Sequence, residues 1–158
     1  MNLLITGGAG FIGANLVLHW LHNHPNDVVI NFDALTYAGN LENLQEIKTH
    51  PNYRFVLGDL RKPSDISKAF SEYNIEAVIH LAAESHVDRS IHGPADFIET
   101  NITGTFNLLE TALKFWGAEL RAHRFLHVST DEVYGSLGSE GKFSESTAYA
   151  PNSPYSAS

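Results

Sequence analysis

The sequence has no cysteine, a single methionine, and no stretch approaching the roughly 18 consecutive apolar residues of a membrane span. Without cysteine there is neither a disulfide framework nor a thiolate metal site, which agrees with a reducing compartment. Basic residues are scarce: 10 Lys and Arg stand against 18 Asp and Glu, leaving a net charge of −8. That argues against a broad nucleic-acid surface, because such surfaces neutralise phosphates with basic groups. An anionic ligand must therefore be held locally, by helix ends or a few arginines. The N-terminus lacks the basic segment and longer apolar core of a signal peptide, so a cytoplasmic location without membrane association is expected.

What is present begins at the second residue. An apolar run ends in Thr6-Gly7-Gly8-Ala9-Gly10-Phe11-Ile12-Gly13, and an apolar-periodic segment follows at once. The pattern is strand, tight turn, helix. A diphosphate must approach the backbone closely where helix amides are still unpaired, and residues without a Cβ permit both the turn and the approach. Gly7 is expected to make the turn, Gly10 to clear space for phosphates, and Gly13 to let the helix pack on the strand. The spacing is G-x-x-G-x-x-G, one residue longer in its first interval than the commoner form. Asp33 closes the next apolar run about 20 residues beyond Gly13, the separation at which an acid meets a ribose hydroxyl.

At 158 residues and 43% hydrophobic content, the chain is the size of one ordinary domain with a buried core. Strands are predicted over 2–6, 28–32, 53–57, 77–81 and 124–128, with helices over 11–24, 41–47, 63–73 and 94–116 between them. Alternation of this kind means a parallel sheet joined by crossovers. The segment 82–90 reads as a polar loop past a strand's carboxyl end, where ligands bind in open parallel sheets. In the long helix, Ile98, Ile102, Thr105, Leu109, Ala112 and Trp116 form one stripe. Phe106 and Leu113 lie off it and give a second apolar face. Ser153 and Pro154 have the character of an N-cap and first helical residue.

Several groups have the character of chemistry. Asp131 and Glu132 follow Thr130 past the last strand and can serve two atoms of one substrate as acid and base; the alternative is a solvated loop pair. Tyr155 is either a packing residue or a catalytic base, as in the short-chain dehydrogenase arrangement, where a lysine one turn later supports it. That lysine would fall at position 159, one beyond the last residue. Asp59 either accepts from an adenine amino group or caps the turn after Gly58. Asn101 and Thr103 are awkward in mid-helix, and either face the site or are satisfied locally. Nine histidines show no metal-ligand spacing with a supporting acid, so no metal site is expected.

Together TGGAGFIG at 6–13, DALTYAGN at 33–40, Gly58-Asp59, LAAESHVDRS at 81–90, STDEVYG at 129–135 and PNSPYSAS at the end resemble the dTDP-glucose 4,6-dehydratases of the extended short-chain dehydrogenase family. Sugar-nucleotide epimerases and decarboxylases share the broader motifs, whereas epimerases lack the acidic pair after Thr130. The resemblance implies an α/β Rossmann-type doubly wound parallel sheet of about five strands, in the order 3-2-1-4-5. It implies NAD, held by Gly7, Gly10, Phe11, Ile12, Gly13, Asp33, Asp59, Leu60 and Ala82, with Asp33 disfavouring the extra phosphate of NADP. Ser85 and His86 would meet the nucleotide-sugar substrate, and Thr130, Asp131, Glu132 and Tyr155 would carry out its dehydration.

Residues 1–158 are then expected to be an NAD-binding domain lacking its last helix and strand and the substrate domain, with little turnover alone. A homodimer through the 94–116 helix and an exposed apolar patch are further expectations. Two other readings stay open: a non-catalytic nucleotide-binding module, and part of a sibling epimerase or decarboxylase.

Overall fold

The computed structural model describes all residues, Met1–Ser158. Five strands, β1 (Asn2–Thr6), β2 (Val28–Asp33), β3 (Tyr53–Leu57), β4 (Ala77–His80) and β5 (Arg124–His127), form one sheet in the order β3-β2-β1-β4-β5. Every neighbouring pair is parallel. The order predicted from resemblance is therefore found, and it places β1 centrally, with the chain reversing direction across the sheet between β1 and β4.

Alternation along the strands divides the core in two, because successive side chains point to opposite faces. Leu4, Ile30, Phe32 and Val78 meet Ile66, Ala69 and Phe70 of α2 (Pro63–Tyr73) and Leu108, Ala112 and Trp116 of α5 (Thr105–Trp116). Leu3, Ile5, Val29, Ala77 and Ile79 meet Ala14, Val17 and Leu21 of α1 (Phe11–Asn23), with Leu44 and Ile47 from a 3₁₀ helix over Leu41–Ile47. Both faces of the central strands are thus covered, as their β-branched runs require. The β5 edge is less covered, leaving Leu126 55% and Val128 43% exposed.

Two sequence expectations need correction. The segment 82–90 is not all loop: Val87–His92 forms a short helix, α3. The 94–116 segment is helical throughout but not uniform, since α4 (Pro94–Phe97) passes through a π-helical turn over Ile98–Gly104 before α5. The buried stripe is Phe97, Gly104, Leu108, Thr111, Ala112 and Trp116, at ordinary helical spacing, while Ile98, Ile102 and Leu109, expected to share one face with Ala112 and Trp116, lie exposed with Phe106 and Leu113: of two apolar faces, the other one meets the sheet. Thr103 is exposed as well, which removes the first of its two readings, a side chain facing the site. The final helix, α6 (Pro154–Ala157), starts where Ser153 and Pro154 placed it: the Ser153 hydroxyl accepts from the Ser156 amide at 3.0 Å. No helix is long and apolar enough to cross a membrane.

Candidate functional site

The glycine turn leaves β1 with Gly7 in the left-handed region, at φ +71. A Cβ there would stand 2.8 Å from the backbone of Ala82, at the exit of β4. Gly13 closes the other side, because a Cβ on it would overlap the Gly7 carbonyl and the Gly8 Cα. Gly10 differs: its only close neighbour would be the Gly7 carbonyl at 3.3 Å, and the rest of its surroundings are open. Two glycines thus build the turn, and the third borders free space. Gly10 is also the N-cap of α1, which has no side-chain cap and no acidic residue in its first turn. The first amides of α1 therefore lack an internal acceptor and, with the helix dipole, favour an anion.

A cavity of about 190 Å³ opens beside this turn. Gly7, Gly10, Asp33, Asp59, Leu60, Ala82 and Ser85, all predicted from sequence, line it. Asp33 is buried, and its carboxylate accepts the Ala9 amide at 2.9 Å and the Leu35 amide at 2.8 Å, one on each oxygen. Each oxygen keeps a lone pair for a hydroxyl on a ligand. Asp59 accepts Arg61 Nη2 at 2.7 Å and Arg61 Nε at 3.0 Å on both oxygens, and this fork holds its carboxyl below the usual carboxylate range.

A second cavity, about 320 Å³, shares the wall formed by Leu81, Ala82, Ala83 and Ser85 with the first. Ile12, Thr130 and Tyr155 line it from three different parts of the chain. Thr130 caps a 3₁₀ turn over Asp131–Tyr134 by accepting the Glu132 amide at 3.2 Å, which leaves its own hydroxyl proton free. Tyr155 is fixed at the start of α6, with its ring edge-on to Phe97 at 6.3 Å. Asn101, on the π turn, accepts the Glu84 amide at 2.8 Å and donates to the Glu84 carbonyl at 2.9 Å, pinning the shared wall. The resulting trough runs from Asp59 across the glycine turn to Tyr155. It suits an extended ligand with an anionic centre.

Other predicted residues line neither cavity with a side chain. Phe11 and His86 are exposed, Gly13 is consumed by packing, and Asp131 and Glu132 stand exposed on the turn that Thr130 caps. Sequence reasoning missed Arg61, Thr36, Ala38, Gly39 and Thr100, which also line the first cavity. Arg61 had a signal in its position two residues after Asp59; the others carry none that spacing would reveal.

The family model for GDP-mannose 4,6 dehydratase matches residues 4–158. The chain belongs to this family. It is 53% identical to the dTDP-glucose 4,6-dehydratase of Salmonella typhimurium, over all of this chain and 47% of that protein. Against the Xanthomonas campestris dTDP-glucose 4,6-dehydratase the identity is also 53%, over 98% and 45%. The chain spans about half the length of the curated relatives it matches. Among solved structures, the Streptomyces venezuelae dTDP-glucose 4,6-dehydratase DesIV, with NAD bound, is 46% identical with a TM-score of 0.89, over 99% of this chain and 48% of that one. The UDP-glucose 4-epimerase of Thermus thermophilus, in complex with NAD, is 31% identical with a TM-score of 0.85, over 99% and 47%. The resemblance read from the sequence is therefore found in both comparisons, and an epimerase shares the fold.

Proposed function

We propose that residues 1–158 form the NAD-binding domain of a dTDP-glucose 4,6-dehydratase, acting in the cytoplasm as a homodimer. One observation carries the reading: a trough with uncapped helix amides at its centre has Asp33 and Asp59 on one side and Thr130 and Tyr155 on the other. These residues fit NAD. The amides take the diphosphate, the free lone pairs of Asp33 take the adenosine ribose hydroxyls, and Asp59 takes the adenine amino group. Phe11, Ile12 and Gly13 supply the amides, and Leu60 and Ala82 line the walls. A buried carboxylate at Asp33 disfavours the extra phosphate of NADP by charge repulsion.

When bound, NAD supplies the acceptor for the hydrogen taken from the sugar's C4 and returns it to C6, so the net change is loss of water. The protein manages the protons. Tyr155 takes the proton of the glucose 4-hydroxyl, and the free hydroxyl of Thr130 donates to the 4-oxygen as it becomes a carbonyl. The carbonyl acidifies C5, whose proton Glu132 removes. Asp131 gives a proton to the departing C6 hydroxyl, and Glu132 returns one to C5 when C6 is reduced. Ser85 and His86 sit beside the sugar.

The stripe Ile98, Ile102, Phe106, Leu109 and Leu113 supports a homodimer, because so continuous an exposed apolar face favours a partner. Titration calorimetry with NAD tests the cradle, and product analysis with dTDP-glucose tests the reaction. Residues 1–158 alone are expected to bind NAD with little turnover; in a chimera with the C-terminal half of a curated relative, a 4-keto-6-deoxy sugar supports the dehydratase, no product fits a binding module, and a 4-epimer favours the epimerase reading. Failure to bind NAD would refute the proposal outright.

A further inference from the structure

Beneath the trough, Thr6, His80 and Thr105 form a buried chain of hydrogen bonds. Thr6 Oγ1 lies 2.6 Å from His80 Nδ1, and His80 Nε2 lies 2.9 Å from Thr105 Oγ1. The protons in this chain can be assigned by counting. Thr6 is fully buried, and its hydroxyl oxygen accepts the amides of Leu81 and Ala82, each at 3.2 Å. Its own proton has one available acceptor, His80 Nδ1. That nitrogen must therefore be bare, so the neutral ring carries its proton on Nε2 and donates to Thr105. Burial and the neighbouring His127 ring, 5.1 Å away, keep the ring neutral.

The consequence falls on Thr105. Its oxygen is already an acceptor, and its hydroxyl proton has no acceptor within the protein. The π turn ending at Gly104 places the residue against His80 and in the lining of the second cavity, together with Ser85, Thr130 and Tyr155.

We propose that Thr105 is a ligand-binding residue, oriented by His80 as a hydrogen-bond donor toward an acceptor oxygen on the ribosyl-nicotinamide half of the dinucleotide. The assignment rests on the dinucleotide reading above. His80 then acts as a positioning residue, and Thr6 couples the exit of β4 to the same proton arrangement.

Titration calorimetry with NAD and with ADP separates the two halves of the trough. Thr105→Val keeps the side-chain shape without the hydroxyl and is expected to weaken NAD about fivefold to tenfold, the effect of one lost hydrogen bond. ADP affinity stays at the wild-type value and reports an intact fold, while Thr105→Ser retains NAD affinity. In the wild-type chain, two-bond ¹H–¹⁵N correlation spectra are expected to show His80 with bare Nδ1 and protonated Nε2, which needs no variant. Unchanged NAD affinity in Thr105→Val, an equal loss for ADP, or a protonated Nδ1 would each overturn the assignment. If the wild-type chain binds ADP but not NAD, or neither, the dinucleotide reading falls and this assignment with it; NAD binding indifferent to Thr105 refutes only the latter.

Discussion

Arg61 holds Asp59 in a two-pronged grip, with Nη2 2.7 Å from one carboxylate oxygen and Nε 3.0 Å from both. The acid that sequence assigned to adenine is thus oriented by a cation two residues away, and the pair sits at the outer end of the first cavity. Planar guanidinium geometry fixes the carboxylate in a way that a lysine would not.

Arg61→Met is therefore expected to weaken NAD binding about fivefold, in the range of one ordinary hydrogen bond. Melting temperature should change little, since the pair is partly exposed. The Asp59 carboxyl lies below its ordinary range chiefly because of Arg61, so lowering the pH from about 5 to about 4, through the ordinary aspartate range, should reduce affinity more in the variant than in the wild type. Parallel pH profiles by titration calorimetry would contradict this.

His80 gives a second pH dependence, in stability. Its pKa is lowered to about 4, first by burial and then by His127. The unfolded chain, with an ordinary value near 6.5, takes up the proton first. Stability from this group is thus complete above about pH 6.5 and falls as the pH drops from there toward 4, on the order of 3 kcal/mol in total. Urea unfolding of the wild type and His80→Gln between pH 7 and 4.5 checks this: the variant should lack that part of the slope.

The glycines should separate stability from binding. Gly13→Ala pushes a methyl into the Gly7 carbonyl and is expected to cost about 2 kcal/mol in urea unfolding. Gly10→Ala meets little protein, so its stability should stay within about 1 kcal/mol while NAD binding falls at least tenfold. Equal destabilisation by both would show that the open side of Gly10 has no bearing on a ligand.

Association should depend on the outward stripe. Phe106 and Leu113 are 58% and 51% exposed on it. The wild-type chain is expected to self-associate in sedimentation velocity, and Phe106→Asp with Leu113→Asp to be monomeric, because each charge would have to be desolvated in the contact. A monomeric wild type at high concentration would remove the stripe as an interface.

Much of this protein was legible from local patterns. Glycine spacing, apolar runs and the acid closing β2 depend on backbone sterics and on side-chain alternation, which act over a few residues, so the strands, the turn and Asp33 could be placed from sequence. The cap at Ser153 was legible for the same reason. The inward face of the 94–116 helix was not: two faces carry apolar residues at helical spacing, and only packing against the sheet decided that Ile98, Ile102 and Leu109 point outward with Phe106 and Leu113.

By itself, then, the sequence determined the α/β alternation, the anion-binding turn and the family resemblance, because each rests on short-range geometry or on matched motifs. Only the tertiary structure decided which residues meet. It brought Thr130 and Tyr155 to one cavity wall, gave Asp59 to Arg61, and tied Thr6 to Thr105 through His80, pairings separated by up to 74 residues in a single link. Hydrogen-bond partners at such separations follow from strand order and helix phase, which packing of the two core faces fixes for the chain as a whole.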